Sequence, residues 1–374
     1  MLKERLVQRI RSRGAITFAE YMEAALFDPD GGYYMTRAAI GFGEGDDYFT
    51  SADLGPDFGR ALSRLAADAW AALGRPRAWD LVEAGAGRGS VMRDMLAALE
   101  RERPEAARSA RPAIVEVSPR LRSEQAGALA GRDLRWATSV LGLAPIQGLV
   151  FANEVLDAFP VHVLVRSEDG VREVHVDEQD GELVEVLLAP SQPDLRWRVP
   201  EAVAVGGRWE VSAAAEGWIA QLAAAVASGY VLLIDYADDE AGLLARLGSG
   251  TLRGFSRHRL VGDPLRAPGE ADLTATVNVT AIRRAAEGAG LRLAGMGRQR
   301  DVLLALGIRE PTARPTAPIE QLRAASRRSA VDTLLDPNGL GAFRVLLFGK
   351  EAPTEGFRAF PTQRRTDDPR GPTR

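Results

Sequence analysis

The chain has 374 residues, of which 46% are hydrophobic and 26% are charged, an ordinary composition for a globular protein of two or three domains. Its formal net charge of −4 argues against a nucleic-acid partner, because such partners are held by neutralising their phosphates. The chain has no cysteine and only three histidines, which lie far apart in the sequence, so we expect neither disulfide chemistry nor a structural metal site.

The sequence shows no targeting or membrane-spanning signal. No run approaches the roughly 18 consecutive apolar residues that a membrane-spanning helix needs. Residues 1–14 are basic and polar, and they lack the apolar centre of a secretory signal. We therefore expect a cytoplasmic protein that does not insert into membranes.

The N-terminal part, residues 1–75, has the pattern of a helical lid. A short helix opens the chain, and a second begins at Thr17, a typical N-cap residue with Glu20 three positions later. Further on, Thr50 and Ser51 precede another helix. These two residues either cap that helix or contact a bound cofactor, and the sequence leaves both interpretations open.

A glycine-rich turn follows the first strand expected of the core. Trp79 to Val82 form a short apolar run suited to a buried strand, and from Ser90 the apolar pattern becomes helical. Between them, Glu83 is followed by glycines at every second position: Gly85, Gly87 and Gly89. A strand, a glycine turn and a helix start are typical of a nucleotide pocket at the carboxyl edge of a parallel sheet.

The spacing of this turn favours one class of nucleotide. It reads G-x-G-x-G after an acid, whereas dinucleotide folds use G-x-G-x-x-G, and a pyrophosphate is disfavoured beside a carboxylate. Glu83 suits a ligand with positive charge, such as the amino and sulfonium groups of S-adenosylmethionine. Glu116, at the tip of the next expected strand about 30 residues later, can accept both ribose hydroxyls. A dinucleotide and an unoccupied turn remain as alternatives.

Acidic residues follow two further buried strands. The run from Gly148 to Ala152 predicts a strand followed by Asn153, Glu154 and Asp157, a position where open α/β sheets bind ligands. Acids at the end of a buried strand are costly unless they meet a cation or hydrogen-bond donors. A structural alternative is that Asp157 caps a turn and Glu154 forms an ion pair. Asp235 likewise ends a later buried run.

Together these patterns predict an α/β fold with a Rossmann-like, mostly parallel sheet and helices on both faces. Residues 161–188 alternate apolar and polar residues around two Asp-Gly turns, which predicts a three-stranded antiparallel meander with His175 as a solvated strand residue. The expected divisions are the lid at 1–75, the first part of the core at 76–160, the inserted meander and loop at 161–211, the rest of the core at 212–350, and a disordered polar tail at 351–374.

A series of segments runs in a fixed order from about residue 15 to residue 350. They are Ile16 to Tyr34, Asp47 to Ser51 with Phe58 and Gly59, Glu83 to Gly89, Val115 to Ser118, Ala152 to Pro160, Ile234 to Tyr236, Gly250 to His258, Asp263 to Thr274, Gln299 to Ile308, and Asp336 to Lys350. In this order they resemble the MidA family of class I S-adenosylmethionine-dependent methyltransferases. The ordered series is far more specific than any single motif.

The resemblance implies a function and a role for each candidate residue. Mitochondrial members of the family methylate an arginine of a respiratory complex I subunit, which implies S-adenosyl-L-methionine as cofactor, direct methyl displacement, and a protein substrate such as a respiratory-complex subunit. The candidate catalytic residues are Glu154, Asp157 and Asp235. The candidate cofactor-binding residues are Thr50, Ser51, Glu83, Gly85, Gly87, Gly89, Glu116 and Asn153. The oligomeric state is open, and a homodimer is compatible with the sequence.

The chain departs from the family at a few positions. Where the family has histidine, aspartate and phenylalanine after an Asp-Leu-Thr segment, this chain has Thr276, Asn278 and Val279, and Ala237 stands where the family prefers glycine. These departures keep a second hypothesis, a cofactor-binding assembly factor without turnover. A third hypothesis, a dehydrogenase, needs a pyrophosphate turn and a hydride-handling base, and the sequence offers neither of them clearly.

Overall fold

In the computed structural model of the protein, the described residues are 1–37, 41, 47, 49–246, 250–257, 259–309 and 318–361. They form the helices α1 (Leu2–Arg13), α2 (Phe18–Phe27), α3 (Tyr33–Thr36), α4 (Pro56–Ala72), α5 (Ser90–Glu102), α6 (Pro104–Ser109), α7 (Pro119–Ala128), α8 (Ala213–Ala225), α9 (Glu240–Ala245), α10 (Val279–Gly288), α11 (Gln299–Ala305) and α12 (Pro318–Leu334).

The same residues form the strands β1 (Ile16–Thr17), β2 (Trp79–Ala84), β3 (Ala110–Val115), β4 (Arg135–Ala137), β5 (Ile146–Asn153), β6 (His162–Ser167), β7 (Gly170–Gln179), β8 (Glu182–Leu188), β9 (Arg208–Val211), β10 (Val226–Asp235), β11 (Ala237–Asp238), β12 (Arg253–Ser256), β13 (Arg259–Leu260), β14 (Asp272–Thr274), β15 (Val277–Asn278), β16 (Arg292–Arg298) and β17 (Arg344–Lys350). Short 3-10 helices include Ser51–Asp53 and Leu156–Ala158.

The central sheet is mixed rather than purely parallel. Its order is β16–β17–β10–β5–β2–β3–β4. Neighbouring strands from β10 to β4 are parallel, whereas β17 runs antiparallel to both β10 and β16. Because β2, β3 and β5 run in one direction, their carboxyl ends meet at the same edge of the sheet. The polar residues that end these strands are therefore brought together.

Helices cover both faces of this sheet, because its central strands are apolar on both sides. Along β5, Leu149 packs on one face in a cluster that includes Leu65 of α4. Its neighbour Val150 packs on the other face with Ile219 of α8 and Ile282 of α10. The alternation follows from the period of two in a strand, so one strand contributes to two separate cores.

A second sheet joins the N-terminal lid to the inserted segment. Its order is β1–β7–β6–β9, with β8 pairing to β7, and β6, β7 and β8 pair antiparallel in chain order. The lid strand β1 places Ile16 opposite Val176, so the two expected units share one core. The expectation of a solvated His175 is wrong: it pairs opposite Thr17 under the lid and is only 7% exposed.

The first residues of the expected tail are packed on the core. Phe357 is buried, and its ring centroid lies 4.9 Å from that of Tyr230 on β10 in an edge-to-face contact. The prediction of a disordered tail is therefore wrong for residues 351–361, while residues 362–374 lie outside the described part of the chain. The prolines within residues 311–318 also predict a loop, and most of that segment lies outside the described residues.

Candidate functional site

A cleft of about 980 Å³ opens at the carboxyl edge of the central sheet. Glu83, Glu116 and Asn153, at or just beyond the ends of β2, β3 and β5, contribute to its lining. Helices α2, α3 and α8 also contribute lining residues, so the lid and the segment after the insert both border it. The sequence placed a ligand site at this edge, and the structure has a cavity there.

The three glycines of the turn adopt left-handed backbone angles, with φ of 67° at Gly85, 51° at Gly87 and 80° at Gly89. A Cβ at Gly85 would lie 2.7 Å from Cγ2 of Val155, so a side chain there would clash. A Cβ at Gly87, which lines the cleft, would meet no atom within 4 Å. The turn therefore leaves open space beside its backbone, as a close ligand approach requires.

Glu83 is a buried carboxylate at the end of β2. It is 2% exposed, and Oε2 accepts a hydrogen bond from the backbone N–H of Met92 at 3.1 Å. Burial raises the pKa of Glu83 to about 8. Within the described residues no cationic side chain forms an ion pair with it, so a positively charged ligand in the cleft would stabilise its ionised form.

Glu116 follows β3 and keeps spare capacity to accept hydrogen bonds. One oxygen accepts the N–H of Ser118 at 2.8 Å, and the other accepts Nε2 of Gln125 at 2.9 Å. Burial raises its pKa in spite of these donors. Each carboxylate oxygen can accept a further bond, and the residue lines the cleft, so it can receive hydroxyl donors.

Thr50 and Ser51 have different roles in the structure. Thr50 lines the cleft and caps the following 3-10 helix by accepting the N–H of Ala52 at 3.2 Å. Ser51 is fully buried, is not among the lining residues, and its hydroxyl lies 3.2 Å from Nε2 of Gln299. Its backbone N–H donates to Oε1 of Glu154 at 2.9 Å. The expected contact of the Ser51 side chain with a ligand is therefore corrected: Ser51 positions Glu154.

Glu154 lines the cleft in a conformation that is costly for a residue other than glycine, with φ of 54°. Its Oε1 also accepts Nδ2 of Asn153 at 3.0 Å. Burial raises the pKa of Glu154 to about 7, and the nearby charge of Asp157 adds to the rise. Oδ1 of Asn153 is buried and has no hydrogen-bond partner among the described residues. The ion pair considered for Glu154 is absent from the same set of residues.

Asp157 and Asp235, both predicted to be catalytic, are not among the residues that line the cleft. Oδ2 of Asp235 accepts the N–H groups of Val155 at 3.1 Å and Leu156 at 2.8 Å, which fixes the turn after β5. Burial raises the pKa of Asp157 to about 6 and that of Asp235 well above its usual value. Asp235 therefore shapes the turn that carries Glu154, and the catalytic part of Asp157 and Asp235 stays a prediction.

One buried acid near the cleft was missed in the sequence. Asp272 of β14 is 2% exposed and accepts a hydrogen bond at 2.8 Å from the hydroxyl of Tyr34, which lines the cleft. Burial, together with the charge of Asp157, raises the pKa of Asp272 to about 8. In the sequence it is the acid of the Asp-Leu-Thr segment that ends at Thr274.

The lining of the cleft is rich in acidic side chains. Its described lining residues include six carboxylates and one arginine: Glu20, Glu23, Asp53, Glu83, Glu116 and Glu154, with Arg88. A concave site lined by one sign of charge concentrates ligands of the opposite sign. Apolar surface is also present, where the rings of Phe159 and Trp218 have centroids 5.4 Å apart. The cleft therefore suits ligands that combine positive charge with apolar or aromatic groups.

Neither a metal-binding cluster nor a membrane-spanning helix is found among the described residues. No group of three or more His, Cys, Asp or Glu side chains among them is arranged to hold a metal ion. None of the helices they form has both the length and the apolar character needed to cross a membrane.

The chain is similar to several known proteins. A family model described as "Putative S-adenosyl-L-methionine-dependent methyltransferase" matches residues 61–297. The Danio rerio protein named "Protein arginine methyltransferase NDUFAF7, mitochondrial" is 33% identical over 310 residues, 75% of this chain and 71% of that protein. The Homo sapiens protein of the same name is 31% identical over 333 residues, 81% of this chain and 72% of that protein.

A solved structure matches almost the whole chain. It is a COG1565 superfamily member from Burkholderia thailandensis bound to S-adenosyl-homocysteine, with a TM-score of 0.86, 30% identity, and coverage of 96% of this chain and 94% of that one. The cytoplasmic location expected from the sequence is contradicted by the curated relatives, since those from Danio rerio, Homo sapiens and Drosophila melanogaster are all named as mitochondrial.

Proposed function

The chain belongs to this family of S-adenosyl-L-methionine-dependent methyltransferases, and on that premise we propose that it methylates an arginine side chain of a protein. The observation that carries the proposal is the charge of the cleft, where six carboxylates and one arginine line a single cavity. A guanidinium is positive at any working pH, so an acidic cleft favours arginine as the methyl acceptor. Relatives named as protein arginine methyltransferases support the same choice.

Membership of the family decides between the three hypotheses that the sequence left open. The expected enzyme class and the expected S-adenosyl-L-methionine cofactor are confirmed. The dehydrogenase hypothesis is thereby removed. The hypothesis of an assembly factor without turnover gives way to a methyltransferase.

The glycine turn and the acids around it supply groups that fit the cofactor. Glu83 offers a buried carboxyl group that a cationic ligand would ionise, Glu116 offers acceptors for ribose hydroxyls, and Oδ1 of Asn153 is a buried acceptor that lacks a donor among the described residues. Gly87 leaves open the space that a side chain would take. When bound, S-adenosylmethionine supplies a methyl group on a sulfonium that a nucleophile can take by direct displacement.

On the acceptor side, Glu154 is the residue we assign to the guanidinium. The N–H of Ser51 and the amide of Asn153 hold its carboxylate in place before a substrate arrives. A cation beside it lowers its raised pKa, so binding favours the ionised carboxylate and a charge-assisted hydrogen bond. Direct displacement depends mainly on aligning the nitrogen with the methyl group and excluding water, and a fixed carboxylate provides the alignment.

The acceptor arginine is proposed to belong to a protein, and a subunit of a respiratory complex is the first candidate, because the MidA resemblance implies it. The test incubates the protein with isotopically labelled S-adenosylmethionine and such a subunit, and locates the label by mass spectrometry. We expect label on arginine, and none on the same subunit with that arginine replaced by lysine. Label on lysine alone, or on no arginine of any substrate, overturns the proposal.

Cofactor binding is measured separately, because it must hold whichever protein is methylated. A ligand that binds the native state raises the melting temperature. We expect such a rise with S-adenosylmethionine and with S-adenosylhomocysteine, and no rise with NAD. A rise with NAD alone would remove the assignment of the glycine turn.

A further inference from the structure

A buried histidine–glutamate pair reaches the cleft from the second sheet. His162, the first residue of β6, lines the cleft and is 8% exposed. Its Nδ1 lies 2.6 Å from Oε1 of Glu173, a fully buried residue of β7. Oε2 of Glu173 accepts the backbone N–H of Ser191, another lining residue, at 2.5 Å. The pair is therefore held by the sheet and touches the cavity at one end.

The contact with Glu173 determines which nitrogen of His162 is available. Burial raises the pKa of Glu173, but hydrogen bonds from His162 and Ser191 outweigh it and hold that pKa below its usual value. An ionised carboxylate can only accept hydrogen bonds, so Nδ1 of His162 carries the shared hydrogen. In the neutral ring Nε2 then has the lone pair, and no hydrogen bond to it occurs among the described residues.

Methylation of a guanidinium requires a proton acceptor. The attacking nitrogen forms a bond to the methyl carbon while the bond between that carbon and sulfur breaks, and the electron pair of the broken bond goes to sulfur. The guanidinium is already a cation, so the product would carry two positive charges unless the attacking nitrogen loses a proton. A base that titrates near neutral pH is suited to accept it, and histidine is the usual one.

We propose that His162 is the general base of the methyl transfer and that Glu173 is its positioning residue. Nε2 of His162 takes the proton from the methylated nitrogen and later releases it to solvent, while Glu173 holds the ring in the tautomer that keeps Nε2 free. The inference rests on the proposed methylation of arginine. It assigns the two roles of the acceptor side to different groups, since Glu154 holds the cation and His162 removes the proton.

The same sheet supplies a matched control. His175 on β7 is also buried, at 7% exposure, and its Nδ1 lies 3.2 Å from the backbone carbonyl oxygen of Glu173. It is not among the residues that line the cleft. His175→Asn therefore changes a buried histidine beside the same glutamate without changing a group that reaches the substrate.

The test measures kcat and KM for an arginine substrate with wild type, His162→Ala, His162→Asn, Glu173→Gln and His175→Asn. We expect kcat to fall roughly 100-fold in His162→Ala and His162→Asn, with little change in the dissociation constant of S-adenosylhomocysteine. Added imidazole should restore much of the turnover of His162→Ala, because it occupies the vacated space as a soluble base. Glu173→Gln should lower kcat when it is the only change. Added to His162→Ala it should have little further effect, since both substitutions remove the same function.

If wild type labels arginine and either His162 variant that binds S-adenosylhomocysteine normally keeps a kcat within about threefold of wild type, the general base is overturned and arginine methylation stands. Loss of kcat that imidazole does not restore, or an equal loss in His175→Asn, also overturns it. If wild type labels no arginine, the proposed function fails, and this inference fails with it.

Discussion

The two halves of the cleft are built in different ways. The glycine half consists of lining residues 83–88, 90–91 and 115–117, which belong to two adjacent strands and the turn and helix between them; Gly89 of the turn does not line the cleft. The acceptor half consists of the lining residues that fall within 17–35, 154–162 (without Asp157), 191–192 and 214–221, which come from the second sheet, the segment after β5 and several helices. The glycine half is therefore built from residues that are close in the sequence. The acceptor half is built from segments that are distant in the sequence and pack together.

This difference separates the expected effects of substitutions. In the glycine half, backbone conformation and open space provide the site, so changes there should weaken cofactor binding. In the acceptor half, charged and polar side chains provide the site, so changes there should lower turnover and leave cofactor binding intact. A substitution in one half that produced the effect expected of the other half would contradict this division.

The largest effect is expected from Glu154→Gln. The amide can still accept the N–H of Ser51, but it cannot form a charge-assisted bond with a guanidinium. We expect kcat to fall roughly 100-fold, the equivalent of about 2.7 kcal/mol. The melting-temperature shift produced by S-adenosylhomocysteine should persist. Glu168→Gln, in the exposed turn between β6 and β7, is the control of equal charge change. Unchanged turnover in Glu154→Gln would remove Glu154 from the mechanism.

A smaller effect, on binding rather than turnover, is expected from Gly87→Ala. The added methyl group enters open space beside the turn, where it competes with a ligand. We expect the dissociation constant of S-adenosylmethionine to rise roughly tenfold, the equivalent of about 1.4 kcal/mol. Gly131→Ala is the matched control, because Gly131 also has positive φ and open space but does not line the cleft. Equal weakening in both variants would show that backbone strain, not the cleft, is responsible.

Glu83→Gln should stabilise the free protein and weaken its binding of S-adenosylmethionine. The pKa of Glu83 is raised from the usual 4.5 to about 8, so the native state holds this proton more tightly than the unfolded state. The contribution of protonated Glu83 to the free energy of unfolding is therefore fully present below pH 4.5 and is lost as the pH rises through about 8. Urea unfolding at several pH values should show a smaller loss of stability with rising pH in the variant, with a gain on the order of 4 kcal/mol near pH 8. An unchanged slope would show that Glu83 is not the group that titrates.

The smallest effects are expected at Asn278, one of the departures from the family. Its side chain caps α10 by accepting the N–H of Ala281 at 3.1 Å, a role that aspartate also fills. Asn278→Ala should lower the free energy of unfolding by about 1 kcal/mol. Asn278→Asp should change it by at most about 0.5 kcal/mol and leave turnover unchanged. A large change in turnover in Asn278→Asp would instead give this position a part in the reaction.

What the sequence predicted well was local. The strand, glycine turn and helix around Glu83 lie within one short stretch, and their propensities all indicate the same structure. The capping box at Thr17 and Glu20 was predicted for the same reason, and the structure has both of its hydrogen bonds. Local agreement of this kind fixes the position of the glycine half without knowledge of the rest of the fold.

What the sequence did not predict depends on packing. The contact of His162 with Glu173 needs the register in which Glu173 pairs opposite Leu164 across β6 and β7. Asp235 was predicted to be catalytic because it ends a buried strand. A strand end indicates a position at the carboxyl edge of the sheet. It does not indicate which acid faces the cavity. The turn after β5 donates two N–H groups to Asp235, which is 3% exposed and is not among the residues that line the cleft.

The pairing of β1 with β7 has a consequence for the order in which the protein assembles on the ribosome. Ile16 pairs opposite Val176, so the first strand waits for a partner made 160 residues later. At ordinary synthesis rates this delay is on the order of ten seconds or longer. During that time the apolar faces of α1 and α2 lack the insert that buries them, and such surfaces attract chaperones. The glycine turn at residues 85–89 is synthesised during this delay. The glycine half of the cleft is therefore made before the inserted segment that completes the acceptor half.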